Sequence, residues 1–243
     1  MKKIVYSILT VVCLFALLQS CEKDNFEAPG SSFFGAIKDS VGGGLVETEL
    51  INGSQIEVFE KGGYATPVSQ KWLIKNNGEF RNNLVFANTY DINLANGNFF
   101  PYRVNDVEIK AGENQRDFQV VPYIRIKNCN ITHDKTANKI VASFSLEAGK
   151  SRVKAKAIRL YAFTDIYVGE NVKFNTTGTG FTQSFNPSKT IDATTYTLSI
   201  DLAANSSLLK PGRNYYFRVG ALADVTGVGT VRHNFAPYVK ITL

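Results

Sequence analysis

The amino-acid sequence predicts an all-β fold built as two tandem β-sandwiches. Three observations carry that reading. Apolar residues rich in Val, Ile, Phe and Tyr alternate with polar ones over short runs, the period that a half-buried strand imposes. Gly, Asn, Asp or Pro bounds those runs and marks the turns. No long stretch carries the apolar period of an amphipathic helix, so a meander of strands is the class left standing.

In the first half, the alternation predicts strands at Ser32–Lys38, Gln55–Glu60, Lys71–Lys75, Glu79–Phe86, Thr89–Leu94 and Asp106–Lys110, with Arg116–Val121 closing the module. Val41-Gly42-Gly43-Gly44 breaks the chain after the first of them, because glycine is too flexible for a strand interior. Asn76-Asn77-Gly78 predicts a hairpin turn, since Asn-Gly supplies the positive φ angles that a tight turn requires. In the second half, Lys139–Leu146 and Lys156–Phe163 alternate as sandwich strands should, and Tyr196–Leu202 follows. Leu209-Lys210-Pro211-Gly212 then turns the chain into Asn214–Ala221, where Tyr215, Phe217, Val219 and Ala221 share one face. Tyr215 stands where a tyrosine just past such a corner returns its hydroxyl to upstream backbone. The expected division is residues 32–121 for one sandwich and 122–243 for the other.

Ahead of them, Met1-Lys2-Lys3 is cationic, Ile4 to Leu18 is almost unbroken apolar sequence, and Leu18-Gln19-Ser20-Cys21 closes the run. This reads as a secretion signal over residues 1–20, too short for a spanning helix. Its ending resembles a bacterial lipobox, although Gln19 departs from the commonest residue there. The resemblance implies cleavage before Cys21, acylation of its sulfur and a lipid anchor in the outer membrane. Each buried methylene contributes about 0.8 kcal/mol, so the two or three chains of a bacterial lipoprotein hold durably. Residues 21–31 are then a polar linker with Pro29 and Gly30. Its acidic start, Glu22-Lys23-Asp24-Asn25-Phe26-Glu27, is similar to the signal that sends Bacteroidetes lipoproteins to the cell surface, and a solvated tether would look the same.

Composition narrows the chemistry. Of the three cysteines, Cys13 leaves with the signal and Cys21 takes lipid, so Cys129 has no intrachain partner and hydrophobic cores must hold the fold. The chain has 17 Phe and 11 Tyr to build them. Residues 22–121 carry 9 basic against 14 acidic side chains, whereas residues 122–243 carry 16 against 7. That asymmetry predicts two distinct modules and a basic half able to face an anionic glycan, lipid phosphates or an acidic partner. Nucleic acid is not an expected partner, since no recognised binding motif occurs and an exported protein lies in the wrong compartment.

The order of pieces in the first module resembles the transthyretin-like, carboxypeptidase-regulatory-like sandwich, on Gly35-Ala36-Ile37-Lys38-Asp39, Gln55-Ile56-Glu57-Val58, Gly78-Glu79-Phe80 and Thr89-Tyr90-Asp91-Ile92. Leu209 to Ala221 resembles the corner and following strand of a fibronectin type III domain. Together with Gly44–Glu49, Asn52–Ile56, Val121–Ile126 and Thr164–Gly169, these stretches resemble a family of Bacteroidetes lipoproteins of unknown function encoded beside SusC/SusD-type glycan-uptake systems. The resemblance implies a setting and carries no site residues.

Catalysis finds little support. His133 and His233 are the only histidines, and Cys129 and His133 lie about 13 Å apart if they share a strand, too far for an activated nucleophile. No nucleophile elbow, P-loop, zinc spacing or calcium loop occurs, and Glu47/Glu49 read as strand-edge charges. No cofactor or metal is expected. Carbohydrate binding needs only an aromatic face and a few polar groups. Candidates are Trp72 after the loop holding Tyr64, the cluster Phe99, Phe100, Tyr102 and Arg103, and the loop Asn175–Phe185 with Phe174, Phe181 and Phe185. Against each stands the plainer reading that aromatics near turns plug the sandwich ends. Lys150 to Lys156 alternates basic and small residues and reads as a cationic strand edge, and Asp39-Ser40-Val41 is similar to a short bacterial O-glycosylation acceptor. The expectation is a non-catalytic surface lipoprotein, accessory to a SusC/SusD-type system, that binds polysaccharide or oligosaccharide. The alternative is a structural subunit with a protein partner.

Overall fold

The computed structural model describes residues 28–62 and 65–243, and no helix forms among them. The first module contains β1 (Ser31–Asp39), β2 (Gln55–Glu60), β3 (Ser69–Leu73), β4 (Glu79–Val85), β5 (Asn88–Ala95), β6 (Tyr102–Ile109), β7 (Gly112–Gln115) and β8 (Phe118–Val120). One sheet runs β4-β1-β7, with β8 also on β1, and the other runs β3-β2-β5-β6. β1 is antiparallel to β4 but parallel to β7 and β8, so the chain crosses between sheets to close this layer. Between the layers lie Phe33, Ile37, Ile56, Val58, Tyr90, Ile92, Leu94 and Phe118. Tyr90, Ile92 and Leu94 are buried at period two, as alternation predicts for β5. Each such side chain contributes about 1.5–3 kcal/mol by leaving water.

The second module contains β9 (Ile124–Asp134), β10 (Lys139–Ala148), β11 (Lys154–Phe163), β12 (Thr182–Thr190), β13 (Thr195–Asp201), β14 (Asn214–Asp224), β15 (Asn234–Phe235) and β16 (Val239–Thr242). Its sheets are β13-β10-β9 and β12-β11-β14-β15, with β16 also on β14. The core gathers Ile140, Phe144, Leu160, Leu198, Tyr215, Phe217 and Val219. Tyr215 receives the Lys210 N–H on its hydroxyl at 2.7 Å, the corner bond its position predicts.

Two local expectations change. The cationic run is not one strand face. Lys150 and Arg152 sit in a turn, Arg152 at φ 73°, and only Lys154 and Lys156 lie on β11. The Asn175–Phe185 stretch is in part β12, and Phe174, Phe181 and Phe185 pack against the core.

The two modules meet across a polar seam centred on Arg218 of β14, which is 0% exposed. Its Nε donates to Ala236 O at 2.9 Å, and its Nη1 to Thr48 O at 2.9 Å and Val168 O at 3.2 Å. Its Nη2 reaches Glu47 Oε2 at 2.5 Å and Asn76 O at 3.1 Å. All five guanidinium donors are thus matched, three of them by oxygens of the first module. The Phe235 ring lies 4.4 Å from the guanidinium carbon. Asn98, also 0% exposed, donates to Glu47 O and His233 O, and its own carbonyl accepts from Asn234 and from the Tyr123 N–H. Arg125 clasps Asp39 through Nε at 2.5 Å and Nη2 at 2.8 Å.

Candidate functional site

Two clefts open along this seam and a third adjoins them on the first module, and one of the seam clefts combines the groups that a sugar requires. It encloses about 400 Å³ between Leu50, Lys75, Asn76, Asn77 and Glu79 of the first module and Ile166, Tyr167 and Tyr238 of the second. Sites between domains of this size are where small ligands most often bind. Its floor is the turn after β3. Gly78 takes φ 89° there, and a Cβ on it would stand 2.6 Å from the Val46 carbonyl oxygen. Asn77 locks the turn: its Oδ1 accepts the Glu79 N–H at 3.1 Å and its Nδ2 donates to Glu79 Oε2 at 3.0 Å. Lys75 and Glu79 approach to 3.9 Å.

The opposite wall is held just as locally. Asn76 Nδ2 donates to Ile166 O at 3.0 Å, which ties the second module's loop to the turn. Asp165 Oδ1 accepts the Tyr167 N–H at 3.2 Å, and the Tyr167 ring stays 40% exposed. Tyr238, between β15 and β16, is 36% exposed and props its ring against Tyr216 at 5.5 Å and 74°. Two phenol rings therefore border a cleft lined by amide, carboxylate and ammonium groups. Such rings cover the C–H face of a sugar, and the polar groups meet its hydroxyls.

A second cleft of about 330 Å³ lies where Asp39, Glu47 and Arg125 meet Pro237. Its Asp39, Glu47 and Arg125 are held in ion pairs, and Lys127 also lines it. Burial works against the Asp39 charge, yet the Arg125 bonds and the Val41 N–H hold its carboxyl below the ordinary 3.8. Burial lifts Glu47 above its ordinary 4.5, with Arg218 pulling it back. Glu49 rises for the same reason, against the Asn171 N–H that it accepts at 2.9 Å. The third cleft, about 370 Å³, lies on the first module.

The sequence candidates are not brought together. Trp72 is 8% exposed and packs at 5.9 Å on Phe33, and Phe99 is 1% exposed, so both belong to the core. Their side chains fall on the inward side of the pleat, which removes them as sugar platforms. Phe100 turns edge-on to Tyr123 at 4.9 Å beneath Lys150, at the module junction. Tyr102 remains 38% exposed and Arg103 pairs with Asp91 at 3.3 Å, both on β6. β3 and β6 are the two outer strands of one sheet, about 14 Å apart, so Trp72 and Arg103 share no cleft. Tyr64 and Cys21 lie outside the described residues. Tyr167 and Tyr238 were missed as site residues. Tyr167 falls inside Thr164–Gly169, and Tyr238 follows the Pro237 that turns the chain into β16.

Cys129 is partly buried, and burial pushes its thiol up to about 11, which keeps it protonated and unreactive. His233 is lowered by burial beside Tyr161 and Glu170, whose hydroxyl and carboxylate bond at 2.8 Å. Among the described residues, no group of three or more His, Cys, Asp or Glu stands where it could hold a metal.

These features define an all-β protein of two sandwich-like modules joined by a buried polar seam with clefts along it. The N-terminal domain model of the DUF3823 proteins of unknown function matches residues 32–121, and the DUF3823_C domain model, also of unknown function, matches residues 124–240. The chain belongs to the DUF3823 family. A crystal structure from Bacteroides uniformis, provisionally described as a carbohydrate-binding protein, is 52% identical and superposes with a TM-score of 0.84 over 88% of this chain and 100% of that one. DUF3823 proteins from Bacteroides ovatus (19% identity, TM-score 0.69, 88% of this chain and 99% of that one) and Parabacteroides merdae (20%, 0.68, 89% and 100%) share the fold. No curated protein matches the chain.

Proposed function

We propose that this protein is a non-catalytic, carbohydrate-binding surface lipoprotein that holds its ligand in the Tyr167–Tyr238 cleft. The observation that carries this reading is the pair of exposed tyrosines of the second module that face a locked amide-and-carboxylate turn of the first across one cleft. The relative at 52% identity, described as carbohydrate-binding, supports it. Further support for the setting comes from the lipobox-like Leu18-Gln19-Ser20-Cys21, which points to the outer membrane, and from the resemblance to lipoproteins of SusC/SusD-type uptake systems. The Tyr215 corner bond supports a fibronectin type III-like second module, and the Gly35–Asp39 strand supports a transthyretin-like first one.

Isothermal titration of residues 22–243 against laminarin, xyloglucan, galactomannan, inulin, dextran and polygalacturonate tests the ligand class. Tyr167→Ala and Tyr238→Ala are each expected to weaken binding about ten-fold, the loss of one ring's contact. Binding that survives both substitutions sends the ligand elsewhere. Cys21→Ala is expected to move the full chain from the envelope fraction into the soluble one. Retention with envelopes defeats the anchor.

A further inference from the structure

We infer that the ligand is an extended, uncharged glycan chain lying across both modules rather than a short sugar held at the tyrosines alone. This rests on the carbohydrate reading above and specifies its ligand. The cleft of about 370 Å³ on the first module shares Lys75 and Glu79 with the Tyr167–Tyr238 cleft, so the two adjoin across those side chains. Beyond them the groove follows the outer face of β1 and β4. Small Ala36 forms part of its lining, and the Arg81 guanidinium carbon lies over the Phe34 ring at 4.6 Å from its centre. Gln115 of β7 lines the Phe34 end, beside Arg81, and the Lys38–Asp117 pair lines the other. At about 3.3 Å of rise per residue, Phe34 to Lys38 spans about 13 Å, more than one sugar ring, and the tyrosine cleft joins this run midway, where Glu79 stands opposite Ala36.

Charge decides the ligand class. Every cation along this path stands beside a carboxylate: Lys38 with Asp117 at 2.6 Å, Arg81 with Glu113 at 2.6 Å, and Lys75 with Glu79 at 3.9 Å. A polyanion would have to displace those carboxylates. A hydroxyl both donates and accepts, so a neutral chain finds a donor and an acceptor together at each pair. The ladder between β1 and β4 and the Arg218 seam fix the two halves of the groove before ligand arrives, which lowers the cost of ordering it.

The test extends the same titrations to chondroitin sulfate and to an oligosaccharide ladder cut from whichever polymer binds. The expected result is a neutral polymer, affinity little changed by added NaCl, and a gain of about ten-fold from disaccharide to hexasaccharide. Gln115→Ala, with Arg81→Ala as a second variant at that end, is expected to weaken the hexasaccharide by about five-fold with unchanged melting temperature. An affinity that stops rising at the disaccharide yet still depends on Tyr167 and Tyr238 overturns the span and leaves the carbohydrate reading intact. Preference for polygalacturonate or chondroitin sulfate with steep salt dependence overturns the uncharged class. Binding to none of the probes overturns the carbohydrate reading and this inference with it.

Discussion

Glu49 shows how a single carboxylate sets the acid behaviour of the seam. It is 4% exposed, accepts the Asn171 N–H, and is lifted by burial above its ordinary 4.5. An acid whose folded value lies above its unfolded one binds more protons when folded. Its contribution is therefore full below pH 4.5 and is lost as the pH rises through the folded value. Glu49→Gln keeps an oxygen for Asn171 and removes the buried charge. Its melting temperature relative to the parent is expected to climb between pH 4 and pH 7, and a difference that stays flat would show that Glu49 does not titrate in this window. Asp39 has the opposite sign, because Arg125 and the Val41 N–H outweigh burial and hold it below 3.8. Its stabilisation is present above pH 3.8 and fades as the pH falls through the folded value.

Among the elements, the strands with strict alternation were legible and the crossovers were not. Gln55–Glu60 coincides with β2, and Asn214–Ala221 falls within β14, because in both the inward residues are apolar at every second position. Arg116–Val121 holds only the short β8, Phe118–Val120, while β7 lies just ahead of it at Gly112–Gln115, and both run parallel to β1. Pairing of that kind is a long-range choice with no local periodicity to announce it. β12 escaped notice because Thr182–Thr190 is polar on an exposed edge, where alternation has no core to enforce it. The site was illegible for a related reason. Tyr167 and Tyr238 lie 71 positions apart and come to line one cleft through the Asn76–Ile166 bond and the course of the chain into β16, whereas Phe99 and Phe100 stand out in the sequence merely by being adjacent. Buried Arg218 was equally hidden, since Tyr-Phe-Arg-Val-Gly reads as one ordinary polar interruption of an apolar strand.

For the whole molecule, the seam decides whether the modules act separately. The Arg218 donors reach Glu47, Thr48 and Asn76 across it, and Asn98 and Arg125 add further crossings. Replacing Arg218 by Met is expected to cost about 3–5 kcal/mol, because Glu47 then keeps a buried charge without its partner. Glu47→Gln added to that variant is expected to recover part of the loss, as the orphaned carboxylate is gone. Scanning calorimetry checks both outcomes: one transition for the parent, and two after Arg218→Met as the modules uncouple. Two transitions already in the parent would mean that the seam transmits little.

Arg218 also governs how portable the halves are. The second half carries a cation that needs three acceptors from the first: Glu47, Thr48 and Asn76. A chimera that joins the Asn214–Asp224 strand to a foreign first module would bury a guanidinium with three empty sockets. Swapping one partner therefore demands rewriting the other, and the pair behaves as a single heritable unit rather than as two beads on a string.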